Sequence, residues 1–291
     1  MGRRVFVSHV AARQRALRIG VNNHPLHELI APDGARAIIA LDGAHVTSWI
    51  PAGESKNRLF VSASSTFGPG NAIRGGIPII FPQFGAFGSL AQHGFARRRR
   101  WMILDATTAG MATFGLHDDD QTRALWPHAF EATVQVDVGG PSLAVALTVH
   151  NTGDSDLSFT AAFHPYFAVR HAFGAVVEGL AGCRYRDSLR DGGVFDERDA
   201  QLQITGPLDR IYYAAPDRLT LRDGDRVLGI EKSGFPEAVV WNPGVEGTRS
   251  RVDFLEGEEH AMLCVEAACI EHPVQLTPDA SWTGVQRMTV A

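Results

Sequence analysis

The sequence has few of the features that mark specialised protein classes. Its three cysteines, Cys183, Cys264 and Cys269, are too few for a disulfide framework and form no CxxC metal pair. There is no run of about 18 apolar residues, so no membrane-spanning helix is expected. The N-terminal segment 1–20 is basic but lacks a continuous apolar region, so we predict no signal peptide. We expect the cysteines to be small buried hydrophobic residues and the protein to be cytoplasmic.

The sequence also lacks an excess of positive charge. Lysine and arginine number 27 against 32 aspartate and glutamate residues, giving a net charge of −5. Nucleic-acid-binding proteins usually present a basic face, so this balance argues against a nucleic-acid partner. The composition is otherwise that of a globular protein, with 45% hydrophobic residues. We therefore expect a folded core and neither a nucleic-acid nor a membrane partner; the oligomeric state is left open.

Turn signals are frequent and the apolar runs between them are short. Two such runs within 37–50 flank Asp42-Gly43, and residues 129–138 and 143–149 alternate between apolar and polar on either side of a Gly-Gly-Pro turn. Both patterns predict antiparallel hairpins, and a further strand is predicted over Leu157–Phe163. Additional short strands are predicted at 58–63, 99–107, 219–223, 227–231, 237–241 and 262–270.

Helical signals are scarce. Residues 118–126 predict one short helix with acidic residues at its start, ended by Pro127. Thirty glycines and 15 prolines are spread along the chain and do not collect at a boundary. Many strands with few helices indicate an all-β protein, so we predict a large antiparallel β-sandwich in a single domain over residues 1–291.

Two stretches in the first third of the chain combine unusual backbone with charge. Residues 73–85 hold Arg74, two adjacent glycines that let the backbone bend, and two prolines, which is not the pattern of a central strand. This stretch is either a corner between sheets or the lining of a site. The second stretch, 92–101, has four consecutive arginines, for which a solvated strand end is the plain interpretation. Strand periodicity would place Arg97 and Arg99 on one side.

Two later stretches each carry one titratable residue in an apolar setting. His164 ends an apolar strand beside aromatic residues, where a packing role is the common one. Glu266 lies within an apolar strand and shares a face with Met262 and Cys264, where a carboxylate is costly unless it is paired or used. If the two side chains converge, they form an acid–base pair.

These stretches together resemble the aldose 1-epimerase (mutarotase) family and, within it, the glucose-6-phosphate 1-epimerase branch. The resemblance covers about residues 35–290, and its motifs occur in the family's order. They are RGGIPIIFPQFG (74–85), QHGFAR (92–97), FHPYF (163–167), LDRIYY (208–213), VVWNP (239–243) and CVEA (264–267).

The resemblance implies a galactose-mutarotase-type β-sandwich with the sugar in a groove across one sheet, and neither a metal nor a cofactor. It implies interconversion of the α and β anomers of a hexose 6-phosphate by acid–base ring opening. Glu266, ionised, would take the proton from O1, and His164, protonated, would give one to O5. The positions that match the family's substrate-binding residues are Arg74, Gln92, Arg97 and Asp209, with His93 beside the sugar. Arg74 and Arg97 would hold the phosphate, with Arg99 as a candidate third; Trp241 would be either an aromatic wall of the site or a core residue.

The sequence departs from the family pattern at Pro165, Ala267 and Gly244, which bears on substrate choice more than on chemistry. Two alternatives stay open. One is the same reaction on an unphosphorylated aldose, and the other is a sugar-binding β-sandwich without catalysis. The presence of both His164 and Glu266 favours the enzymes, because a binder needs no proton donor opposite an acceptor.

Overall fold

The computed structural model describes residues 24–291 and the backbone of Arg18–Ile19. The N-terminal segment for which we predict no signal peptide otherwise lies outside the described residues. The strands, in chain order, are β1 (Arg18–Ile19), β2 (Pro25–Ile30), β3 (Arg36–Ala40), β4 (His45–Ile50), β5 (Ile79–Ile80), β6 (Met102–Asp105), β7 (Met111–His117), β8 (Phe130–Gly139), β9 (Ser142–Asn151), β10 (Leu157–Phe163), β11 (Tyr166–Ala168), β12 (Val176–Glu178), β13 (Arg184–Asp187), β14 (Gly193–Asp196), β15 (Gln201–Gln203), β16 (Leu208–Tyr212), β17 (Arg218–Asp223), β18 (Arg226–Ser233), β19 (Glu237–Asn242), β20 (Met262–Leu276) and β21 (Ser281–Val290).

The strands form three antiparallel sheets, so the all-β class predicted from the sequence is confirmed. A nine-stranded sheet has the order β15-β12-β17-β18-β21-β9-β8-β7-β6. An eight-stranded sheet has the order β14-β13-β16-β19-β20-β10-β5, and β11 pairs with the start of β20. A smaller sheet has the order β1-β2-β3-β4.

The main hydrophobic core lies between the two large sheets. Phe159 of β10 contacts Trp282 of β21 with ring centroids 5.5 Å apart. The buried amide of Gln286 on β21 donates to the carbonyl of Val265 on β20 at 3.1 Å. One face of the eight-stranded sheet is therefore covered by the nine-stranded sheet. We call the opposite face, which carries Glu266, the outer face.

Helices are few, as predicted. The helix α1 (Asp120–Leu125) lies inside the predicted range 118–126 and begins after Asp119, whose side chain accepts from the backbone N–H of Thr122. A second helix, α2 (Gly244–Arg249), was not predicted. Among the described residues, no helix is long and apolar enough to cross a membrane.

Most of the predicted strands are present, one prediction is wrong and one is confirmed only in part. Both hairpins and the strand Leu157–Phe163 are confirmed, as are strands at the four predicted ranges after residue 218. The range 58–63 contains only isolated bridges, from Leu59 to Phe167 and from Val61 to Gly75. The predicted strand 99–107 is reduced to β6, because the chain first makes a 3-10 turn over Ala96–Arg98. All three cysteines are buried and free, as expected.

Candidate active site

Two faces with different chemistry alternate along the first half of β20. Leu263, Val265 and Ala267 face the core between the large sheets. Cys264 and Glu266 lie on the outer face, since successive side chains of a strand point to opposite sides. The predicted alternation is therefore confirmed, and it places a fully buried carboxylate outside the main core.

His164 follows β10 and meets Glu266 on the outer face. Its Nε2 lies 3.3 Å from Oε1 of Glu266, and the exposed fractions of the two side chains are 9% and 2%. Within residues 24–291, Nδ1 of His164 and Oε2 of Glu266 are buried without a hydrogen-bond partner. The two predicted catalytic residues thus form one buried acid–base pair.

Burial controls the protonation of this pair. It raises the pKa of Glu266 well above its usual value, and the negative charge of Asp209 adds to the effect. Burial also lowers the pKa of His164 well below its usual value, reinforced by His93, Arg74 and Arg97. Because both shifts favour the uncharged forms, the pair keeps one proton, held on the carboxyl when the imidazole is neutral. In the form predicted from the sequence, Glu266 is ionised and the single proton of the pair is on His164. The two forms differ by transfer of this proton from Glu266 to His164.

Aromatic rings hold the imidazole of His164 from two sides. The ring of Tyr166 stacks on it almost in parallel, with centroids 4.9 Å apart and an interplanar angle of 7°. The ring of Trp241 meets it edge-on at 5.6 Å. Trp241 is only half-buried on the outer face and therefore lines the candidate site.

His93 approaches His164 edge-on, with ring centroids 5.7 Å apart. Its Nδ1 accepts a hydrogen bond from the backbone N–H of Gly85 at 3.2 Å, which leaves the ring proton on Nε2. Burial, together with the positive charges of Arg97 and Arg74, lowers the pKa of His93 to about 3. His93 is therefore a neutral hydrogen-bond donor at neutral pH.

Arg74 is held in place by two neighbours. Its Nη1 donates to the hydroxyl of Tyr166 at 2.8 Å, and its Nε and Nη2 both donate to Oδ2 of Asp253 at 3.1 and 2.9 Å. The guanidinium also lies over the ring of Phe254, 4.9 Å from its centroid. Burial lowers the pKa of Arg74, but Tyr166 and Asp253 outweigh it, so the net pKa lies above the usual arginine value.

Arg97 is less well neutralised than Arg74. Its Nη2 donates to the backbone carbonyl of Gln92 at 2.9 Å. Among the described residues, its Nε and that of Arg98 are buried without an acceptor. Burial, with repulsion from Arg98 and Arg74, lowers the pKa of Arg97 to about 10, so the side chain is still charged at neutral pH. An anion at this position would provide the missing hydrogen-bond acceptor and would offset the repulsion between the neighbouring arginines.

The adjacent glycines beside Arg74 bend the backbone, as predicted, and they also allow close packing. A Cβ on Gly75 would lie 2.4 Å from the carbonyl oxygen of Phe60, and one on Gly76 would lie 2.3 Å from that of Val46. Both glycines also have positive φ angles. The segment that carries Arg74 is therefore fixed against its neighbours.

The expectation that Arg97 and Arg99 share one strand face is wrong, because the chain is in a 3-10 turn at Ala96–Arg98. Arg99 points to the start of α1, where its Nη1 donates to the side chain of Gln121 at 2.7 Å. It also lies 3.6 Å from a carboxylate oxygen of Asp119. Arg99 is thus not a third arginine of the site.

Asp209 of β16 belongs to the outer face and is half-buried. It pairs in register with Trp241, which pairs with Cys264 of β20. Burial raises the pKa of Asp209, and the proximity of Asp187 adds to the rise. The side chain of Gln92 is exposed. Its backbone carbonyl contacts the site by accepting a hydrogen bond from Arg97.

Two of the departures from the family pattern now have a structural setting. Ala267 faces the main core, so this exchange lies away from the site. Gly244 begins α2 with φ of 63°, and a Cβ there would lie 2.7 Å from the side chain of Pro207. A bulky aromatic residue does not fit at that position.

Sequence reasoning missed three neighbours of the predicted residues. Tyr166 is part of a quoted motif, but its packing on His164 and its bond to Arg74 required the fold. Asp253 and Phe254 lie in the loop after α2, in a stretch without a periodic pattern.

Among residues 24–291, no group of three or more metal-ligating side chains is present.

Comparison with known sequences identifies relatives over most of the chain. A family model for aldose 1-epimerase matches residues 25–289. A protein of Cenchrus ciliaris described as "Putative glucose-6-phosphate 1-epimerase" is 36% identical over 88% of this chain and 83% of its own length. A protein of Salmonella typhimurium (strain LT2) with the same description is 31% identical over 88% and 87%.

Solved structures agree with this assignment. The Salmonella typhimurium mutarotase-type protein YeaD has a TM-score of 0.86 and 29% identity, covering 94% of this chain and 92% of that one. A galactose mutarotase-like protein from Lactobacillus casei shows the same fold, with a TM-score of 0.76 at 19% identity over 91% of this chain and all of its own. From the family match and the identity to these relatives, the chain belongs to the aldose 1-epimerase family.

Proposed function

We propose that the protein interconverts the α and β anomers of a hexose 6-phosphate. The observation that carries this proposal is the buried contact of 3.3 Å between His164 and Glu266, beside the incompletely neutralised guanidinium of Arg97. The first feature supports acid–base chemistry on a sugar, and the second supports an anionic group on that sugar. The names of the relatives point to the same substrate class.

The reaction requires two proton transfers on one ring. Glu266 in its carboxylate form takes the proton from O1 while His164 in its imidazolium form protonates O5. The C1–O5 bond breaks, and the C1–O1 bond becomes a carbonyl. C1 then rotates, and closure on the other face returns both protons by the reverse path. Each transfer contributes roughly 10²–10⁴-fold to the rate.

The protonation shifts of the pair oppose formation of the ion pair and favour ring opening once the ion pair has formed. The ion pair of Glu266 and His164 is the form that burial disfavours, and ring opening converts it to a neutral carboxyl and a neutral imidazole. The proton first moves from Glu266 to His164 across their contact. The sugar then gives its O1 proton to Glu266 and accepts a proton at O5 from His164, so that both residues become uncharged. Both residues thus return to the same one-proton state after every turnover.

The position of the arginines agrees with His164 acting at O5. In a hexose 6-phosphate, C6 is attached to the ring carbon next to O5, so the phosphate lies on the O5 side. Arg74 is linked to His164 through Tyr166, and Arg97 lies close enough to both histidines to lower their pKa values. Two guanidinium groups can grip a phosphate with paired hydrogen bonds.

The remaining predicted residues orient the ring in this proposal. Asp209 accepts hydrogen bonds from hydroxyls at the end of the sugar far from the phosphate, and the neutral His93 donates from Nε2. Trp241 provides a flat wall, and the backbone of Gln92 holds Arg97. Holding the sugar ring in a fixed orientation against Glu266 and His164 lowers the barrier to ring opening, because the reacting groups are already in position.

Anomer exchange of freshly dissolved α-glucose 6-phosphate, followed by polarimetry or NMR exchange spectroscopy, tests the proposal. We expect the protein to accelerate exchange well above the spontaneous rate and to prefer the phosphate ester to free glucose. A preference for free glucose or galactose would indicate an aldose 1-epimerase for unphosphorylated sugars. Binding without acceleration would indicate a sugar-binding protein without catalysis.

The other parts of the proposal concern setting and partners. A small sugar phosphate is the proposed partner, and a reducing cytoplasm suits three free buried cysteines. No metal or dissociable cofactor has a role in this mechanism.

A further inference from the structure

The guanidinium of Arg74 is held in one orientation by two adjacent residues of the loop after α2. Its Nε and Nη2 both donate to a single carboxylate oxygen, Oδ2 of Asp253. One face of the guanidinium lies over the ring of Phe254, and that ring stacks on Phe60 with centroids 6.2 Å apart. An acceptor at the edge and an aromatic ring at the face match the flat, forked shape of a guanidinium. The loop therefore fixes both the position and the plane of this group.

The hydrogen bonds of Arg74 leave part of its donor set for a ligand. A guanidinium has five N–H groups. Within residues 24–291, three of them donate to protein atoms, two to Asp253 and one to the hydroxyl of Tyr166. One N–H on each of Nη1 and Nη2 is left, and 21% of the side chain is exposed. Two N–H groups of one guanidinium can bind two oxygens of a phosphate.

The loop that carries Asp253 is tied to another loop by the carboxylate of Glu258. Its Oε2 accepts a hydrogen bond from the backbone N–H of Leu255, two residues after Asp253, at 2.8 Å. Its Oε1 accepts one from the backbone N–H of Ala63 at 3.1 Å. One side chain thus joins the loop after α2 to the segment 62–65.

The same segment 62–65 binds the backbone of Arg74. The N–H of Arg74 donates to the hydroxyl of Ser65 at 2.7 Å, and its carbonyl accepts from the backbone N–H of Ser62 at 2.9 Å. The backbone of Arg74 and the carboxylate of Asp253 are therefore both anchored through Glu258. This arrangement fixes the contact between Arg74 and Asp253 from both ends.

Asp253 has two opposing effects on a phosphate bound at Arg74. It orders a long side chain before any ligand binds, so that binding does not have to supply the cost of ordering it. Its negative charge also repels the phosphate. The two effects can be separated because both hydrogen bonds from Arg74 go to one oxygen. The amide oxygen of an asparagine can accept the same two bonds without the charge.

We propose that Asp253 is a positioning residue for the hexose phosphate, which fixes the guanidinium of Arg74 before the substrate binds. The inference rests on the proposed function for the identity of the anion. Asp253 acts through Arg74 and makes no contact with the substrate. Its effect is therefore confined to ligands that carry a phosphate.

The test compares Asp253→Asn with Asp253→Ala. Both variants lack the same charge, but only the asparagine keeps an acceptor for Nε and Nη2 of Arg74. For glucose 6-phosphate, we expect the KM of Asp253→Ala to be roughly three- to tenfold higher than that of Asp253→Asn, the cost of ordering one long side chain on binding. The kcat for glucose 6-phosphate and the turnover of free glucose should be the same in both variants. Equal KM values would overturn the inference.

Glu256→Ala is the matched control. It removes a carboxylate from the same loop, but Glu256 is 71% exposed and binds Arg249. We expect the kinetics with glucose 6-phosphate and with free glucose to be unchanged. A rise in KM equal to that of Asp253→Ala would show a general effect of the loop and would overturn the role of Asp253.

Titration with inorganic phosphate, combined with NMR relaxation of the Nε–H group of Arg74, separates this inference from the proposed function. Tighter phosphate binding in Asp253→Asn than in Asp253→Ala, with an Nε–H group that is mobile only in Asp253→Ala, supports positioning even if glucose 6-phosphate is not turned over. Equal affinities in the two variants, or no phosphate binding in the wild type, would overturn it. Turnover of glucose 6-phosphate by the wild type would then leave the proposed function intact.

Discussion

The two faces of the eight-stranded sheet are made by alternate residues of the same strands, yet burial has different consequences on each. On the core face, Leu263 and Val265 have no exposed surface and pack toward the nine-stranded sheet. On the outer face, Glu266 is 2% exposed and has a carboxylate oxygen without a partner among the described residues. Burial of an apolar side chain stabilises the fold, whereas burial of a carboxylate opposes it and shifts its pKa.

This difference shows how one strand can serve both stability and chemistry. The core face supplies a rigid support, because close-packed interiors resist displacement. The outer face then holds His164 and Glu266 at a fixed distance in surroundings that disfavour their charged forms. The comparison predicts that substitutions on the two faces have separable effects on folding and on turnover.

The largest expected effect separates the two faces directly. Glu266→Gln and His164→Asn are each expected to lower anomer exchange of glucose 6-phosphate by roughly 10²–10⁴-fold without unfolding the protein. Combining them should cost little more than either alone, since the two residues act as a unit.

Leu263→Ala on the core face of the same strand is the matched comparison. It is expected to reduce the free energy of unfolding by about 2–5 kcal/mol, while the folded fraction keeps its turnover. Urea unfolding and NMR exchange measure the two quantities. Turnover near the wild-type level in Glu266→Gln would refute the catalytic assignment.

The next effect concerns the arginines at the edge of the outer face. Arg97→Ala is expected to weaken turnover of glucose 6-phosphate by about 1.5–3 kcal/mol, mainly through KM, because a charged hydrogen bond to phosphate is lost. Turnover of free glucose should hardly change. Arg99→Ala serves as the control, since Arg99 binds Gln121 and is expected to have no effect on either substrate. Equal losses on both substrates in Arg97→Ala would argue against a phosphate contact.

The pH dependence of the rate tests the one-proton state of the pair. Its raised carboxyl pKa and lowered imidazole pKa predict a bell-shaped profile, because turnover needs a single proton shared by Glu266 and His164. The rate should fall in acid when a second proton binds and in alkali when the last one leaves. An enzymatic rate that shows neither an acid limb nor an alkaline limb over the pH range in which the protein stays folded, after subtraction of spontaneous exchange, would contradict the mechanism.

A smaller effect is expected at Tyr166, whose ring and hydroxyl have different partners. Tyr166→Phe removes only the bond to Arg74, and we expect the KM for glucose 6-phosphate to rise by up to about tenfold with kcat maintained. Tyr166→Leu also removes the parallel stacking on His164, so kcat should fall for phosphorylated and free sugars alike. Identical kinetics in the two variants would show that the ring does not position His164.

The smallest effect is on stability. Glu266 has a higher pKa in the folded protein than in the unfolded chain, so its stabilising contribution is present below the ordinary value of 4.5 and is lost as pH rises through the folded pKa. Glu266→Gln lacks this titration. The free energy of unfolding of Glu266→Gln should therefore increase relative to wild type between about pH 5 and pH 8. A difference that stays constant with pH would show that the carboxyl titrates normally.

The sequence predicted those parts of the molecule that follow from local periodicity. The strands on either side of Asp42-Gly43 and the strand face on which Glu266 lies both follow from the two-residue period of a strand. Both could therefore be predicted. The 3-10 turn at Ala96–Arg98 was not, because four arginines give no periodic signal and the turn is fixed by contacts with distant segments. For the same reason, the contact of Arg74 with Asp253, 179 positions later, could not be predicted.

The turn at Asp42-Gly43 has a consequence for how this protein can diverge. The backbone N–H of Gly43 donates to the carbonyl of Arg99, and a Cβ at Gly43 would lie 2.8 Å from the carbonyl oxygen of Arg97. Asp42 also binds the guanidinium of Arg100 through both carboxylate oxygens. The hairpin formed by β3 and β4 thus supports the backbone of residues 97–100. Substitutions in it are expected to alter substrate affinity from outside the groove, so sequence drift at this turn is constrained by ligand binding as well as by folding.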